Sequence, residues 1–326
     1  MERPKVFITR QIPQEGIDLL QRVADVDVNP VDAPLPKSKL LEAAAKYDGI
    51  IGLLTDKIDS EFFEAGTNLK GYANYAVGFD NIDVAEATRR KVPVSNTPGV
   101  LTDATAECAW ALIFAVARRV VESDKVMRSG KWDGWGPMQF IGGDIMGKTL
   151  GIVGAGRIGT AMALMSRGFG MKVIYTSSSG RRNGVLDAEL HAELVPFEEL
   201  LKRSDFISLH TPLTPDTKHL FDSSAFSLMK DTAYIVNTAR GPVINEADLV
   251  TALKTGQIAG AGLDVYEKEP AMAPGLAGLD NAVVLPHIGS ATVSSRTNMS
   301  TLAARNLIAM LRGKKPETCL NPELFD

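Results

Sequence analysis

Three apolar runs in the second half of the chain each lead into a side chain able to do acid–base or electrostatic work. Ala233-Tyr234-Ile235-Val236-Asn237 runs into Thr238-Ala239-Arg240, Ala261-Gly262-Leu263-Asp264-Val265 into Tyr266-Glu267-Lys268-Glu269, and Val283-Val284-Leu285-Pro286 into His287. If the runs are parallel strands, an arginine, a glutamate and a histidine leave one sheet edge, the carboxyl edge, where open α/β sheets bind ligands. That set suits reduction of a carbonyl beside a carboxylate. A histidine can give a proton to the carbonyl oxygen as hydride reaches carbon. A carboxylate on the second ring nitrogen fixes the tautomer and keeps the proton loaded. An arginine grips a carboxylate with two donors and polarises the neighbouring carbonyl. Strand-end residues also commonly cap helices, so the triplet has to converge to mean anything.

A hydride needs a carrier, and a candidate phosphate loop lies upstream. Leu150-Gly151-Ile152-Val153-Gly154-Ala155-Gly156-Arg157-Ile158-Gly159 sets GxGxxG directly after a strand and at the opening of a helix, expected from Thr160 to Gly168. Gly154 allows the tight turn, Gly156 lets a pyrophosphate approach the backbone, and Gly159 lets helix pack on strand. The first helical turn, with Arg157 and Ile158, offers free N–H groups and a partial positive charge to phosphates. About 20 residues further on, such a fold usually places an acid on the ribose 2′-hydroxyl. Here the second strand ends Val173-Ile174-Tyr175-Thr176 and continues Ser177-Ser178-Ser179-Gly180-Arg181-Arg182, with no acid. Hydroxyls, N–H groups and arginine forks donate to a phosphate. The turn therefore favours NADP(H), with NAD(H) the weaker alternative; a plain solvated polar turn is the bland one.

The elements that must position these groups alternate along the chain. Strand-like runs at Val6 to Thr9, Asp48 to Leu54, Leu69 to Tyr75 and Val92 to Val94 are separated by amphipathic segments near Ile12 to Val23, Ser60 to Ala65 and Val84 to Arg90. Alternation of this length implies a parallel sheet covered on both faces. One long apolar helix is expected from about Thr102 to Val121, followed by a Gly- and Trp-rich arm around Lys131 to Pro137. From Thr149 a second alternation begins, with the runs LGIVG, KVIY, DFISL, AYIVN, AGLDV and AVVLP. A helix from about Thr292 to Arg312 follows, and the tail after it is too short to form a domain, so it is expected to return to the first one. The expected fold class is α/β with two doubly wound parallel-sheet domains. Residues 1–99 and 290–326 would form a discontinuous substrate-binding domain, and 100–289 the inserted Rossmann dinucleotide-binding domain.

Composition excludes several other classes. A net charge of −4 across 326 residues argues against a general nucleic-acid binder. The apolar run from Cys108 to Ala117 is too short to span a bilayer, so no membrane partner is expected. Two cysteines cannot build a disulfide framework, and with no signal-like apolar N-terminus a reducing cytoplasm is the expected location. His191 reads as a surface residue and His219 as a loop hydrogen bonder, while His210, at the end of DFISLH, either packs or sits near the cofactor; no pair has metal-ligand spacing, so no metal is expected.

Taken together, GIVGAGRIG, LHTPLTPDTKHL, IVNTARGPVINEADLVTAL, GAGLDVYEKEP and LPHIGSAT make the chain resemble the D-isomer-specific 2-hydroxyacid dehydrogenases over essentially its full length. The resemblance implies a flavodoxin-like substrate domain in two pieces, a central Rossmann domain and a homodimer. By the family pattern Arg240 matches the substrate arginine, Glu269 the histidine partner and His287 the acid/base. Further positions carry over by motif: Val77 and Gly78 in YAVGFD as backbone donors to the substrate carboxylate, Leu53 and Leu54 in GLLTD as pocket walls, and Ser290 beside the substrate. Thr105, Thr211, Thr217, Thr238 and Gly289 look like cofactor contacts, and Asp264 like the residue facing the nicotinamide. GLLTD, SATVSSRTNMS and the hydroxyl-rich turn resemble the glyoxylate/hydroxypyruvate reductase branch, in which Trp135, Met138 or Phe140 of the arm could enter a partner's pocket. The implied activity is NADPH-dependent reduction of a small 2-keto acid. A dinucleotide-sensing binding protein of the same fold, or an NAD-dependent dehydrogenase for another D-2-hydroxy acid, are the alternatives.

Overall fold

The structure, a computed structural model, describes residues 3–178 and 180–326. Two compact units are present: one runs to Leu101 and resumes at Ala291, and the other is Thr102–Ser290. In the first unit five parallel strands, β1 (Lys5–Ile8), β2 (Asp25–Val28), β3 (Gly49–Gly52), β4 (Gly71–Asn74) and β5 (Val94–Ser95), lie in the order β2-β1-β3-β4-β5. β2 is absent from the sequence expectation because Asp25-Val26-Asp27-Val28 is an edge strand with both aspartates exposed, so no apolar run marks it. The C-terminal helix Val293–Leu311 packs on β3 and β4 and against the helix Gln14–Gln21. The tail beyond it returns to β5, where Leu320 N donates to Val94 O at 2.8 Å and the buried Asn321 side chain bonds Val94 N and Val92 O.

In the second unit seven parallel strands follow: β6 (Thr149–Val153), β7 (Lys172–Thr176), β8 (Glu193–Leu194), β9 (Phe206–Leu209), β10 (Tyr234–Asn237), β11 (Gly260–Leu263) and β12 (Ala282–Val284). Their order is β12-β11-β10-β9-β6-β7-β8. Alternate side chains feed two cores. Val153, Ile174, Ile207, Ile235 and Leu263 enter one, whereas Ile152, Tyr175, Phe206, Val236 and Val283 enter the other. A sheet apolar on both faces needs helices on both, which is the doubly wound arrangement. β8 escapes sequence reading because two residues carry no periodicity.

Two helix expectations need correction. The apolar helix from Thr102 stops at Ala117 instead of continuing to Val121; Arg119 takes φ 50° and a separate helix, Val120–Arg128, begins. The Ala117 carbonyl, which would accept from residue 121 in a continuing helix, accepts from Gly143 N at 2.9 Å as the arm returns. The helix after the glycine loop is Arg157–Met165, three residues earlier than expected, and its end tightens into a 3₁₀ turn at Ser166–Phe169. Among the described residues no helix is long and apolar enough to cross a membrane, and no group of three or more His, Cys, Asp or Glu could hold a metal ion.

Candidate active site

The strand order of the second unit reverses at β6, with β7 on one side and β9 on the other. In open sheets that switch point opens a crevice at the carboxyl ends of the strands. The glycine loop lies there. Gly154 takes φ +95°, and a Cβ on it would come within 2.9 Å of the His210 carbonyl and Thr211 N, so the backbones after β6 and β9 need a glycine to lie this close. A Cβ at Gly159 would press on Gly154 O and Ile152, which matches a role in packing helix on strand. At Gly156 a Cβ would meet nothing within 4 Å, and this residue heads the helix with no side-chain cap. Uncapped N–H groups at Arg157 and Ile158 beside open space fit a pyrophosphate.

The hydroxyl-rich turn sits at the end of β7. Ser177 is half-buried, Ser178 and Arg181 are exposed, and Ser179 lies outside the described residues. An acid is nearer than the sequence spacing suggests. Asp187, on the helix Gly184–Leu190, takes Arg182 Nε at 2.7 Å and the Tyr175 hydroxyl at 3.0 Å. The Arg182 guanidinium, helped by that hydroxyl, holds the Asp187 carboxyl below its usual range. Asn183, which sequence reasoning passed over, caps this helix and bonds Ala155 O at 3.0 Å and Thr160 Oγ1 at 2.8 Å, tying the turn to the glycine loop. Its signal was an Asn directly before a helical run.

The remaining cofactor candidates divide by what their polar atoms already do. Thr217 Oγ1 donates to Pro212 O at 2.7 Å and accepts from Thr214 N at 2.8 Å, so this hydroxyl shapes its own loop. Thr211 follows β9 beside Gly154, whereas Thr238 follows β10 with a buried hydroxyl that has no hydrogen-bond partner among the described residues. A buried orphan hydroxyl at a strand end suits a ligand that would complete it. Thr105 is buried on the helix Thr102–Ala117, near Gly289 and Asp264. Asp264, 1% exposed, accepts from Ile288 N and Gly289 N, each at 2.7 Å. Burial raises its pKa, against the opposing pull of those two N–H groups and of His287. Both oxygens hold the turn after β12, in which His287 itself takes φ +55°. His210 follows β9, bonds Ser208 Oγ at 2.8 Å, and is pushed down to about 3 by burial, so its imidazole is neutral.

The triplet converges. His287 Nδ1 lies 2.9 Å from Glu269 Oε2, and Tyr266 N donates to Glu269 Oε1 at 3.1 Å. Burial works to raise the Glu269 pKa, but the His287 bond and charge, the Tyr266 N–H and the charge of Arg240 outweigh it and hold the carboxyl below its ordinary range. Arg240 is thus close enough to act electrostatically on the same carboxylate. Its turn is set by Asn237, buried at the end of β10, which donates to Arg240 O at 2.9 Å and accepts from Ala239 N at 2.9 Å. Gly241 brings this turn against the glutamate loop, since a Cβ there would overlap the Tyr266 carbonyl.

The glutamate loop has its own anchors. Glu246, 4% exposed, accepts from Glu267 N and from Ala273 N at 2.8 Å, while Glu267 accepts from Glu246 N at 3.1 Å and pairs with His219 at 2.8 Å. Tyr266 donates its hydroxyl to Leu285 O at 2.7 Å, joining the loop to the strand before His287. These residues fix Glu269 from behind, and nothing in the sequence marked them, since the burial of Glu246 at the start of its helix shows only in the folded chain. Ser290 closes the second unit just after Gly289.

In the first unit, Leu53 lies in the loop after β3, and Val77 and Gly78 in the loop after β4, all partly exposed. Leu53 N donates to the buried Asp56 at 2.8 Å, which also accepts from Thr9 Oγ1 at 2.6 Å. Among the described residues the N–H groups of Val77 and Gly78 donate to nothing.

Residues 110–289 match the family model described as "D-isomer specific 2-hydroxyacid dehydrogenase, NAD binding domain". The glyoxylate reductase of Thermococcus litoralis is 50% identical across 99% of this chain and 98% of its own length. Among solved structures, a protein from Thermus thermophilus aligns with a TM-score of 0.91 at 42% identity over 97% of this chain and 99% of its own. An NADPH-dependent glyoxylate/hydroxypyruvate reductase from Sinorhizobium meliloti, crystallised with NADP and malonate, gives 0.87 at 29% identity over 98% of this chain and 97% of its own. With a model matching more than half its length and half-identical relatives covering nearly all of it, the chain belongs to the D-isomer specific 2-hydroxyacid dehydrogenase family.

Proposed function

We propose that this chain is an NADP-dependent reductase of small 2-keto acids, with glyoxylate and hydroxypyruvate as its substrates. The observation that carries the reading is the His287–Glu269 pair within the field of Arg240, on the sheet edge that also bears the glycine loop. Bound along that loop, NADPH would supply hydride to the carbonyl carbon. The residues do the rest. Glu269 engages Nδ1 of His287, which leaves Nε2 to deliver the proton to the carbonyl oxygen. Arg240 supplies a planar cation for the substrate carboxylate and polarises the adjacent carbonyl.

Val77 and Gly78 are assigned as backbone donors to a substrate carboxylate, Leu53 as an apolar wall, and Ser290 as a hydroxyl beside the substrate. The first unit is accordingly assigned to substrate and the second to the dinucleotide. Ser177, Ser178, Arg181 and Arg182 are assigned to the 2′-phosphate, and the similarity to an NADP complex supports that choice over NAD. A second copy of the chain is the proposed partner: Trp135 and Met138 on the arm are 83% and 79% exposed, an apolar display that favours burial. A cytoplasmic location belongs to the same proposal.

The test is a matrix of NADPH and NADH against glyoxylate, hydroxypyruvate and pyruvate, run on wild type and His287→Ala. NADPH with glyoxylate or hydroxypyruvate should turn over, and His287→Ala should lose roughly 10²–10⁴-fold in rate while still binding NADPH. Tight NADPH binding with no turnover of any keto acid would overturn the enzyme reading in favour of a dinucleotide sensor.

A further inference from the structure

The loop after β4 is held by its carbonyls. Ala76 O accepts from Thr97 N at 2.8 Å, Val77 O from Asn96 Nδ2 at 2.7 Å, and Gly78 O from Asn74 Nδ2 at 2.8 Å. All three donors come from the ends of β4 and β5. A trans peptide unit points its C=O and the following N–H in opposite directions. Pinning three successive carbonyls therefore turns three successive N–H groups, those of Val77, Gly78 and Phe79, away from their anchors. None of the three donates to any group among the described residues, and Phe79 is 45% exposed. Consecutive free N–H groups of this kind make an anion-binding concavity.

We infer that Asn96 and Asn74 are positioning residues that build a three-donor carboxylate cradle from Val77, Gly78 and Phe79. The inference rests on the reading that this loop takes the substrate carboxylate, and adds both the third donor and its supports. The two asparagines are buried, at 7% and 0% exposure, so their amide groups act on the loop carbonyls without competition from water. A second layer holds Asn96. Its carbonyl accepts from Thr318 Oγ1 at 2.6 Å and from Asn306 Nδ2 at 3.3 Å, and Asn306 Nδ2 also donates to Thr318 Oγ1 at 2.7 Å. The helix Val293–Leu311 and the returning tail thereby reach the substrate loop through one side chain.

The experiment reads backbone amides and kinetics together. In wild type with NADP⁺, titration with oxalate, a carboxylate that hydride does not reduce, should shift the ¹H–¹⁵N resonances of Val77, Gly78 and Phe79. Asn96→Ala and the near-isosteric Asn96→Asp, which replaces the donor by an acceptor, should abolish the Gly78 shift. Each should raise KM for glyoxylate about tenfold, the equivalent of roughly 1.4 kcal/mol, with kcat and NADPH affinity nearly unchanged. Thr318→Val should raise KM in the same sense but less. Wild-type shifts that persist in folded Asn96→Asp, with KM unchanged, would remove the positioning role and leave the loop as a carboxylate site. Absence of all three shifts in wild type at inhibiting oxalate would remove the loop from carboxylate binding altogether, and the inference with it.

Discussion

Glu269→Gln separates what the carboxylate does by charge from what it does by shape. The amide keeps the volume and can still accept from Tyr266 N, so the loop anchored by Glu246 should persist. What disappears is a negative charge beside the imidazole. The contact is 2.9 Å and the two side chains are 29% and 32% exposed. Two unit charges about 4 Å apart attract by roughly 4 kcal/mol at an effective dielectric of 20, and partial exposure discounts this to roughly 1.5–3 kcal/mol. The His287 bond and charge help hold the Glu269 carboxyl below its ordinary range, so the pair that orients the imidazole depends on that carboxylate being ionised.

The assay is initial NADPH oxidation with saturating glyoxylate, followed across pH. The limb of the profile that the carboxylate sets is the acid one. At neutral pH the rate of the glutamine variant should fall about ten- to hundredfold, because the imidazole loses the charge that orients it. The wild-type carboxyl is depressed below its ordinary value of 4.5, so the pair is intact above that value and is lost only as pH falls through the lower one. The glutamine variant should lack that acid limb. An acid limb that survives unmoved in the glutamine variant would refute the electrostatic argument and leave Glu269 as a positioning group alone.

Gly241→Ala should push the arginine turn off the glutamate loop, because the new methyl overlaps the Tyr266 carbonyl. Overpacking of this kind costs about 1–3 kcal/mol, read as a lowered Tm together with a fall in kcat/KM; an unchanged Tm would mean that the two loops separate freely. Asp187→Asn should release Arg182 from its ion pair and tighten NADPH binding severalfold with NADH unaffected. Equal changes for both dinucleotides, measured by fluorescence titration, would make Arg182 a bystander to the 2′-phosphate.

The parts legible in the sequence were those carried by local patterns. Largely apolar runs of three to seven residues marked ten of the twelve strands among the described residues, because a strand buried on both faces must be continuously apolar. The two missed, β2 and β8, are edge strands that bury too little to leave a pattern. The end of the helix at Ala117 was not legible either, since the group that takes its carbonyl lies 26 residues away in sequence, at Gly143. The absent acid after β7 was read correctly along the chain and incompletely in space, where Asp187 comes back on the next helix.

By itself the sequence determined which side chains stand at strand ends and where a backbone can bend sharply or present free N–H groups, because residue type and spacing alone set those properties. It could not determine which polar groups meet. The packed chain alone decided that Glu269 Oε2 reaches His287 Nδ1, that Glu246 holds the loop behind it, and that Asn96 is clamped by Thr318 from a tail 222 residues away. The physical reason is that a hydrogen bond requires two atoms within about 3 Å, and nothing in residue order encodes that distance until parallel strands and the returning helix have closed the sheet edges.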